Sequence, residues 1–80
     1  MNKAIIVKAD DWEGLFVNEK LVYEHHEIDR KTLRKLCKEY GLDYAEIEEV
    51  WVTEEYEDYL CGAGSFHENL SEVDYEPNLE

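Results

Sequence analysis

The pattern of hydrophobic and polar positions predicts strands in the first quarter of the chain. Residues 4–7 form a short apolar run, mostly β-branched, which is typical of a buried strand. Two further apolar runs, residues 15–17 and 21–23, flank the polar residues 18–20, and this spacing predicts a hairpin. Gly14 lies where the second strand begins, so it indicates a bulge or the close approach of another segment.

A helical period follows in residues 29–41. Apolar side chains recur there at i, i+3, i+4 and i+7 and form one helix face: Leu33, Leu36, Cys37 and Tyr40. Asp29 is suited to cap the free N–H groups at the start, and Gly41 supplies a left-handed exit. Most of the remaining helix surface is basic, with Arg30, Lys31, Arg34, Lys35 and Lys38.

The second half of the chain predicts shorter elements. Residues 42–47 favour a helical turn, because two acidic residues there have the spacing of a capping box. Residues 50–53 have strong β propensity and predict a strand. Thr53 then caps a second helix over residues 54–60, which Gly62-Ala63-Gly64 ends. Residues 70–73 predict one more short segment.

These elements predict a single α+β domain over residues 1–76 and a frayed acidic tail over residues 77–80. We expect a small, mainly antiparallel sheet with the main helix packed on one face and a short second helix. The apolar helix face should then pack on the sheet, with Leu33, Leu36 and Tyr40 against Ile5, Val7, Phe16 and Val22.

Charge is distributed unevenly along the chain. All eight Lys and Arg lie in the first 38 residues, whereas residues 39–80 contain fourteen acidic residues and no Lys or Arg. The net charge of −13 therefore resides mainly in the second half and fixes the sign of its partner. Contact of this half with nucleic acid or with an anionic membrane surface is disfavoured, because phosphates recruit Lys and Arg.

The lack of a recognisable targeting signal and the small number of cysteines favour a reduced, cytoplasmic location. The chain has no apolar run near the length of about 18 residues that a transmembrane helix needs, and its first apolar run is too short for a signal peptide. Cys37 and Cys61 are too few for a secreted disulfide framework, and we expect both thiols to be buried or partly buried.

Candidate chemistry is sparse. Glu24-His25-His26-Glu27 is the most metal-like string, but neighbouring strand residues point to opposite faces, so the two histidines do not easily share an ion. His67 would have to supply a third ligand. The two cysteines form no C-x-x-C motif, and Gly62-Ala63-Gly64 lacks the context of a phosphate loop. We therefore expect no catalytic residue, no cofactor and no metal.

The tryptophans and the basic helix each have two interpretations. Trp12 lies among three acids, where it is either a recognition anchor or a residue that packs over the sheet. Trp51 lies between two valines, which predicts a core position. The basic helix could contact nucleic acid, but it fits better as a solvated face that offsets the acidic remainder, within one molecule or between subunits.

The acidic surface is either a solubilising surface or a mimic of a polyanion. Carboxylates on alternate strand positions or at i, i+3 and i+4 on a helix can align as phosphates do. The densest run available for this is Glu46, Glu48, Glu49, Glu54, Glu55, Glu57 and Asp58.

The stretch Trp12-Glu13-Gly14-Leu15-Phe16-Val17-Asn18-Glu19-Lys20-Leu21-Val22 resembles a W-E-G-L-aromatic-V-x-x-K-L-V pattern of uncharacterised short proteins of bacteria and their phages. The stretch Phe66-His67-Glu68-Asn69-Leu70-Ser71-Glu72-Val73 is similar to their C-terminal segment. The resemblance implies a phage or prophage context, and no activity transfers with it.

We therefore interpret the chain as a small acidic protein-binding module rather than an enzyme. Its concrete form is a phage-encoded modulator of a host nucleic-acid-handling or defence protein, with a basic protein surface as partner. Trp12 and the seven acids of the densest run are the partner-binding residues. Two alternatives remain open, namely a homo-oligomeric accessory protein and a metal-binding regulator that uses His25 or His26.

Overall fold

The computed structural model describes residues 3–76, and this part of the chain contains five strands, two α-helices and two 3-10 turns. The strands are β1 (Ala4–Lys8), β2 (Glu13–Val17), β3 (Lys20–His25), β4 (Glu48–Val52) and β5 (Tyr75–Glu76). The helices are α1 (Arg30–Tyr40) and α2 (Glu54–Ala63), and the 3-10 turns are Tyr44–Glu46 and Leu70–Glu72. The predicted frayed tail lies outside the described residues.

The strands form one sheet in the order β3-β2-β1-β4-β5. Three of its four pairings are antiparallel, and β4 runs parallel to β1. This pairing is parallel because α1 carries the chain back to the end of the sheet where β1 begins, as a crossover connection does. The prediction of a small, mainly antiparallel α+β sheet is confirmed.

The hairpin between β2 and β3 turns on two residues. Asn18 and Glu19 have φ values of 50° and 72°, and two successive positive φ angles are typical of the type I′ turn that suits a twisted hairpin. The pairing shifts register between Leu15 and Phe16, so the bulge does not lie at Gly14. Gly14 instead meets the Phe66 ring, because a Cβ atom there would lie 2.7 Å from Phe66 Cδ2. The close approach predicted from this glycine is therefore confirmed.

Helix α1 begins and ends at the predicted caps. The Asp29 carboxylate accepts a hydrogen bond from the Thr32 backbone N–H at 2.7 Å, which satisfies one free donor of the first turn. This hydrogen bond also lowers the pKa of Asp29. Gly41 adopts the left-handed conformation with φ 65° and ends the helix.

One helix packs on each face of the sheet, and each face has its own core. Helix α1 packs on one face, where the buried residues are Ala4, Ile6, Leu15, Val17, Leu33, Leu36 and Cys37. Helix α2 packs on the other face, whose buried residues include Val7, Phe16, Val50, Tyr56, Leu60 and Phe66. The predicted packing of α1 against Ile5, Val7 and Phe16 is wrong, although Val22 does contact the α1 core. An apolar run buried on both faces does not show which alternate residues point to which helix.

Helix α2 begins at the predicted cap and extends further than predicted. Thr53 Oγ1 accepts the Tyr56 backbone N–H at 3.3 Å. The helix continues through Gly62 and ends at Gly64, which has φ 80°. Strand β5 was not predicted, since a two-residue strand has no period to detect.

The two cysteines differ in exposure. Cys37 is buried on the face of α1 that packs on the sheet, and burial raises the pKa of its thiol, so it belongs to the core as expected. Cys61 is exposed on α2, and the expectation that both thiols would be at least partly buried is wrong for it. Within residues 3–76, no helix has the length and apolar character needed to cross a bilayer.

Leu36→Ala tests the α1 core. Leu36 is buried between α1 and the sheet, and its truncation is expected to cost about 2–5 kcal/mol of unfolding free energy because it leaves a cavity. Urea unfolding followed by far-UV circular dichroism measures this loss. A loss below about 0.5 kcal/mol, which is ordinary for a surface substitution, would contradict the packing of this helix face.

Candidate functional site

A pocket of about 370 Å³ lies between the loop that follows β1 and helix α2. Its lining combines an indole and aliphatic groups with carboxylates, a histidine and a thiol: Ala9, Asp10, Asp11, Trp12, His26, Glu57, Leu60, Cys61 and Gly64. A concave site with a mainly apolar lining and a few polar groups is the usual form of a binding site. Two of the predicted partner-binding residues, Trp12 and Glu57, line this pocket.

The Trp12 indole is held in this pocket by core packing, by a hydrogen bond and by a ring contact. It is half-buried and packs against the α2 core, and its Nε1–H donates to Glu24 Oε1 at 2.8 Å. The His26 ring meets it edge-on, with 4.9 Å between ring centroids. Part of the Trp12 ring therefore packs over the sheet, as one of the two interpretations predicts, and part of it lines the pocket. The other interpretation, a recognition anchor, stays a prediction.

The same Glu24 oxygen holds a second segment. Glu24 Oε1 also accepts the Phe66 backbone N–H at 3.0 Å, so one half-buried carboxylate on β3 joins the Trp12 loop to the loop after α2. This role was missed from the sequence, where Glu24 was part of a metal-like string. Its sequence neighbours, Tyr23 and His25, gave no signal that it would point inward.

The loop between β1 and β2 is a tight turn that presents two carboxylates at the pocket. The Ala9 backbone N–H donates to the Trp12 carbonyl at 2.7 Å and closes the turn. Asp10 and Asp11 lie at its tip and are exposed. His26 Nδ1 lies 3.2 Å from the Asp11 carbonyl oxygen and 3.6 Å from its Oδ2, which ties the end of β3 to the turn.

Asp10 and Glu57 bring two carboxyl groups together across the pocket. A hydrogen bond from the Glu57 carboxyl to Asp10 raises the pKa of Glu57, and repulsion from the Asp10 charge adds to the shift. A cation placed beside Glu57 would offset this repulsion and favour the ionised form of Glu57.

The other predicted acidic residues do not converge on this pocket. Glu46 ends the first 3-10 turn, Glu48 and Glu49 begin β4, and three acids occupy α2 outside the pocket: Glu54, Glu55 and Asp58. All six side chains are exposed. Glu49 forms an ion pair with Lys8 at 3.2 Å. These acids line the surface over several elements, and Glu57 alone among the seven predicted acids also lines the pocket.

Trp51 is 54% exposed, so its predicted core position is wrong. It pairs with Lys8 on the face of the sheet that carries α1, and Lys8 Nζ lies 6.0 Å from its ring centroid. Five strands span about 24 Å, whereas a helix is about 10 Å wide. A single helix does not reach β4, which leaves Trp51 uncovered.

The histidines point in different directions. His25 stacks on Tyr23 with 6.3 Å between centroids, His26 contacts Trp12, and His67 Nδ1 lies 2.8 Å from the Tyr56 hydroxyl. Among residues 3–76, no three His, Cys, Asp or Glu side chains are grouped so that they could hold a metal ion.

The stretch that resembles bacterial and phage proteins includes Trp12, β2, the hairpin turn and the start of β3. The Phe66–Val73 stretch packs against it, since Phe66 covers Gly14 and the Leu70 backbone N–H donates to the Glu19 carbonyl at 2.9 Å. The resemblance itself stays a prediction. Comparison of the chain with protein-family models, curated proteins and solved structures found no match.

Proposed function

We propose that this chain is a non-enzymatic protein-binding module that takes a basic side chain of its partner into the Trp12 pocket. The observation that carries the proposal is the pocket itself, which the Trp12 indole lines together with the carboxylates of Asp10, Asp11 and Glu57. An aromatic face and carboxylates both attract a guanidinium or ammonium group. The aliphatic lining, which includes Leu60, accommodates the methylene stem of Arg or Lys.

The charge outside the pocket supports the same partner. The net charge of −13 and the exposed acids of β4 and α2 create a negative field that steers a basic surface toward the molecule. We expect the surface acids to raise the association rate and the pocket to lower the dissociation rate.

We further propose that the module acts in the cytoplasm. The resemblance of residues 12–22 to short bacterial and phage proteins supports a phage or prophage origin. The target would then be a host protein that handles nucleic acid or takes part in defence, since such proteins present the basic grooves that an acidic surface fits.

The pocket is tested with Trp51→Phe protein, in which Trp12 is the only remaining indole. A short peptide with one central arginine is expected to change the Trp12 fluorescence on titration. Replacing Asp10 and Glu57 together by Asn and Gln should weaken binding by about tenfold or more, since each hydrogen bond to a charged group contributes about 1.5–3 kcal/mol.

Glu54→Gln with Glu55→Gln is the matched control, because it removes the same charge from exposed positions outside the pocket. This control should weaken binding less, and its effect should disappear at high salt, which screens exposed charges. Equal losses from the two double variants at high salt would contradict a role for the pocket.

A further inference from the structure

Helix α1 borders a second groove, of about 560 Å³, on the face of the sheet opposite to the Trp12 pocket. The groove is lined by three cations together with a thiol, an aliphatic and an aromatic side chain: Arg30, Arg34, Lys38, Cys37, Leu42 and Tyr44. It is thus a basic site with an apolar floor in a strongly acidic protein.

In the part of the chain that the structure describes, the three cations form no ion pair. The ion pairs within residues 3–76 are Lys8–Glu49 and His26–Asp11, and neither involves α1. Arg30, Arg34 and Lys38 are exposed, in a chain with 21 acidic residues that could have neutralised them. Their positive charge is therefore available to a ligand.

We propose that this groove binds an acidic segment of a partner protein, with carboxylates repeated about every 6 Å and an apolar side chain next to them. The three cations recur at i, i+4 and i+8 on one stripe of α1, where a rise of 1.5 Å per residue separates successive positions by about 6 Å. Alternate residues of an extended peptide are about 6.6 Å apart on one side, which nearly matches this repeat.

The apolar part of the groove favours a ligand that carries an apolar side chain in addition to its carboxylates. Tyr44 is 50% exposed in the 3-10 turn, and the half-buried Leu42 lies beside it in the lining. An apolar or aromatic residue of the acidic segment can cover these two side chains while its carboxylates meet the arginines as paired hydrogen bonds.

The charge of the whole molecule favours a short acidic peptide over nucleic acid. Asp43 adjoins the groove and Glu39 lies on α1, and fourteen acids occupy residues 39–80. A nucleic acid strand carries one negative charge about every 3.4 Å, and the acidic residues would repel these phosphates along the whole strand. A peptide with three carboxylates is short enough to lie only over the groove, where the positive charge of the three cations exceeds the negative charge of Asp43.

Two sites of opposite charge on opposite faces of the sheet would allow one molecule to bridge a basic and an acidic partner. The groove does not depend on the Trp12 pocket, because its residues come from α1 and the turn that follows it. An experiment can therefore contradict the proposal for one site and leave the proposal for the other unaffected.

The test uses a fluorescein-labelled extended peptide in which three glutamates and one leucine occupy successive alternate positions, so that all four side chains lie on one side, and it follows binding by anisotropy. Arg30→Gln with Arg34→Gln should weaken binding by about tenfold or more, because each arginine–carboxylate pair is a charge-assisted interaction. Lys31→Gln with Lys35→Gln is the matched control, since it removes the same charge at the same spacing from the same helix outside this groove. It should change affinity by less than about twofold.

Tyr44→Ala supplies a second variant, and it should also weaken peptide binding because it removes the aromatic wall. Four outcomes would overturn the proposal: no binding of the peptide to the parent protein, equal losses from the two double variants, tighter binding of a labelled single-stranded oligonucleotide than of the peptide, and self-association in light scattering that Arg30→Gln with Arg34→Gln abolishes. The last would assign the groove to a second copy of the chain.

Discussion

Phe66→Ala is expected to cost about 3–5 kcal/mol of unfolding free energy, which is the usual loss for a buried phenylalanine. Phe66 is only 4% exposed although it lies outside the helices and strands. Its ring packs edge-on against Phe16 with 5.8 Å between centroids and stacks on Tyr56 at 6.1 Å. It also fills the space that a side chain at Gly14 would need.

A loss of this size would remove much of the stability of so small a protein, since native domains have about 0.05–0.15 kcal/mol per residue. Urea unfolding followed by far-UV circular dichroism measures it. Trp51→Ala is the control, because its larger but exposed ring should cost below about 1 kcal/mol. A greater loss for Trp51→Ala than for Phe66→Ala would contradict the assignment of the core.

Local signals account for the part of the fold that the sequence predicts. Asp29 and Gly41 delimit α1 by their own backbone and side-chain chemistry, and Thr53 does the same at the start of α2. Gly14 indicates a close approach because no other residue leaves that space. The partner in that approach, Phe66, belongs to a loop whose position depends on tertiary contacts.

Local sequence patterns do not show which sheet residues the helices will bury. The β propensity of residues 50–53 predicts a strand, but the exposure of Trp51 depends on how far α1 reaches across five strands. The facing of Ile5 and Val7 toward α2 is equally non-local, because an apolar run looks the same from both faces.

The candidate site is predictable only in part for the same reason. Trp12 stands out among acidic neighbours, and Glu57 belongs to a dense acidic run. Their meeting across one pocket requires α2 to pack on the face from which the β1–β2 loop projects. No spacing along the chain encodes the proximity of Asp10 to Glu57, which line the same pocket in the structure.

Glu24→Ala is expected to cost about 2–4 kcal/mol, because it leaves two partly buried donors without their acceptor. Glu24 Oε1 lies 2.8 Å from Trp12 Nε1 and 3.0 Å from the Phe66 backbone nitrogen. Losing this oxygen should loosen the pocket wall and the Phe66 loop together. Glu24→Gln is the matched variant, since its amide oxygen can accept the same hydrogen bonds without the charge, and it should lose only about half as much.

The indole N–H resonances of a ¹H–¹⁵N spectrum separate this role from a general loss of stability. In Glu24→Ala the Trp12 resonance should shift and its proton should exchange faster with water, because the hydrogen bond that protects it is gone. The resonance of the exposed Trp51 is the internal reference and should stay in place. In Glu24→Gln the Trp12 proton should remain protected, since an acceptor is still present. A Trp12 resonance that is unchanged in Glu24→Ala would show that this carboxylate does not fix the indole, and the pocket would then lose the contact that orients its aromatic wall.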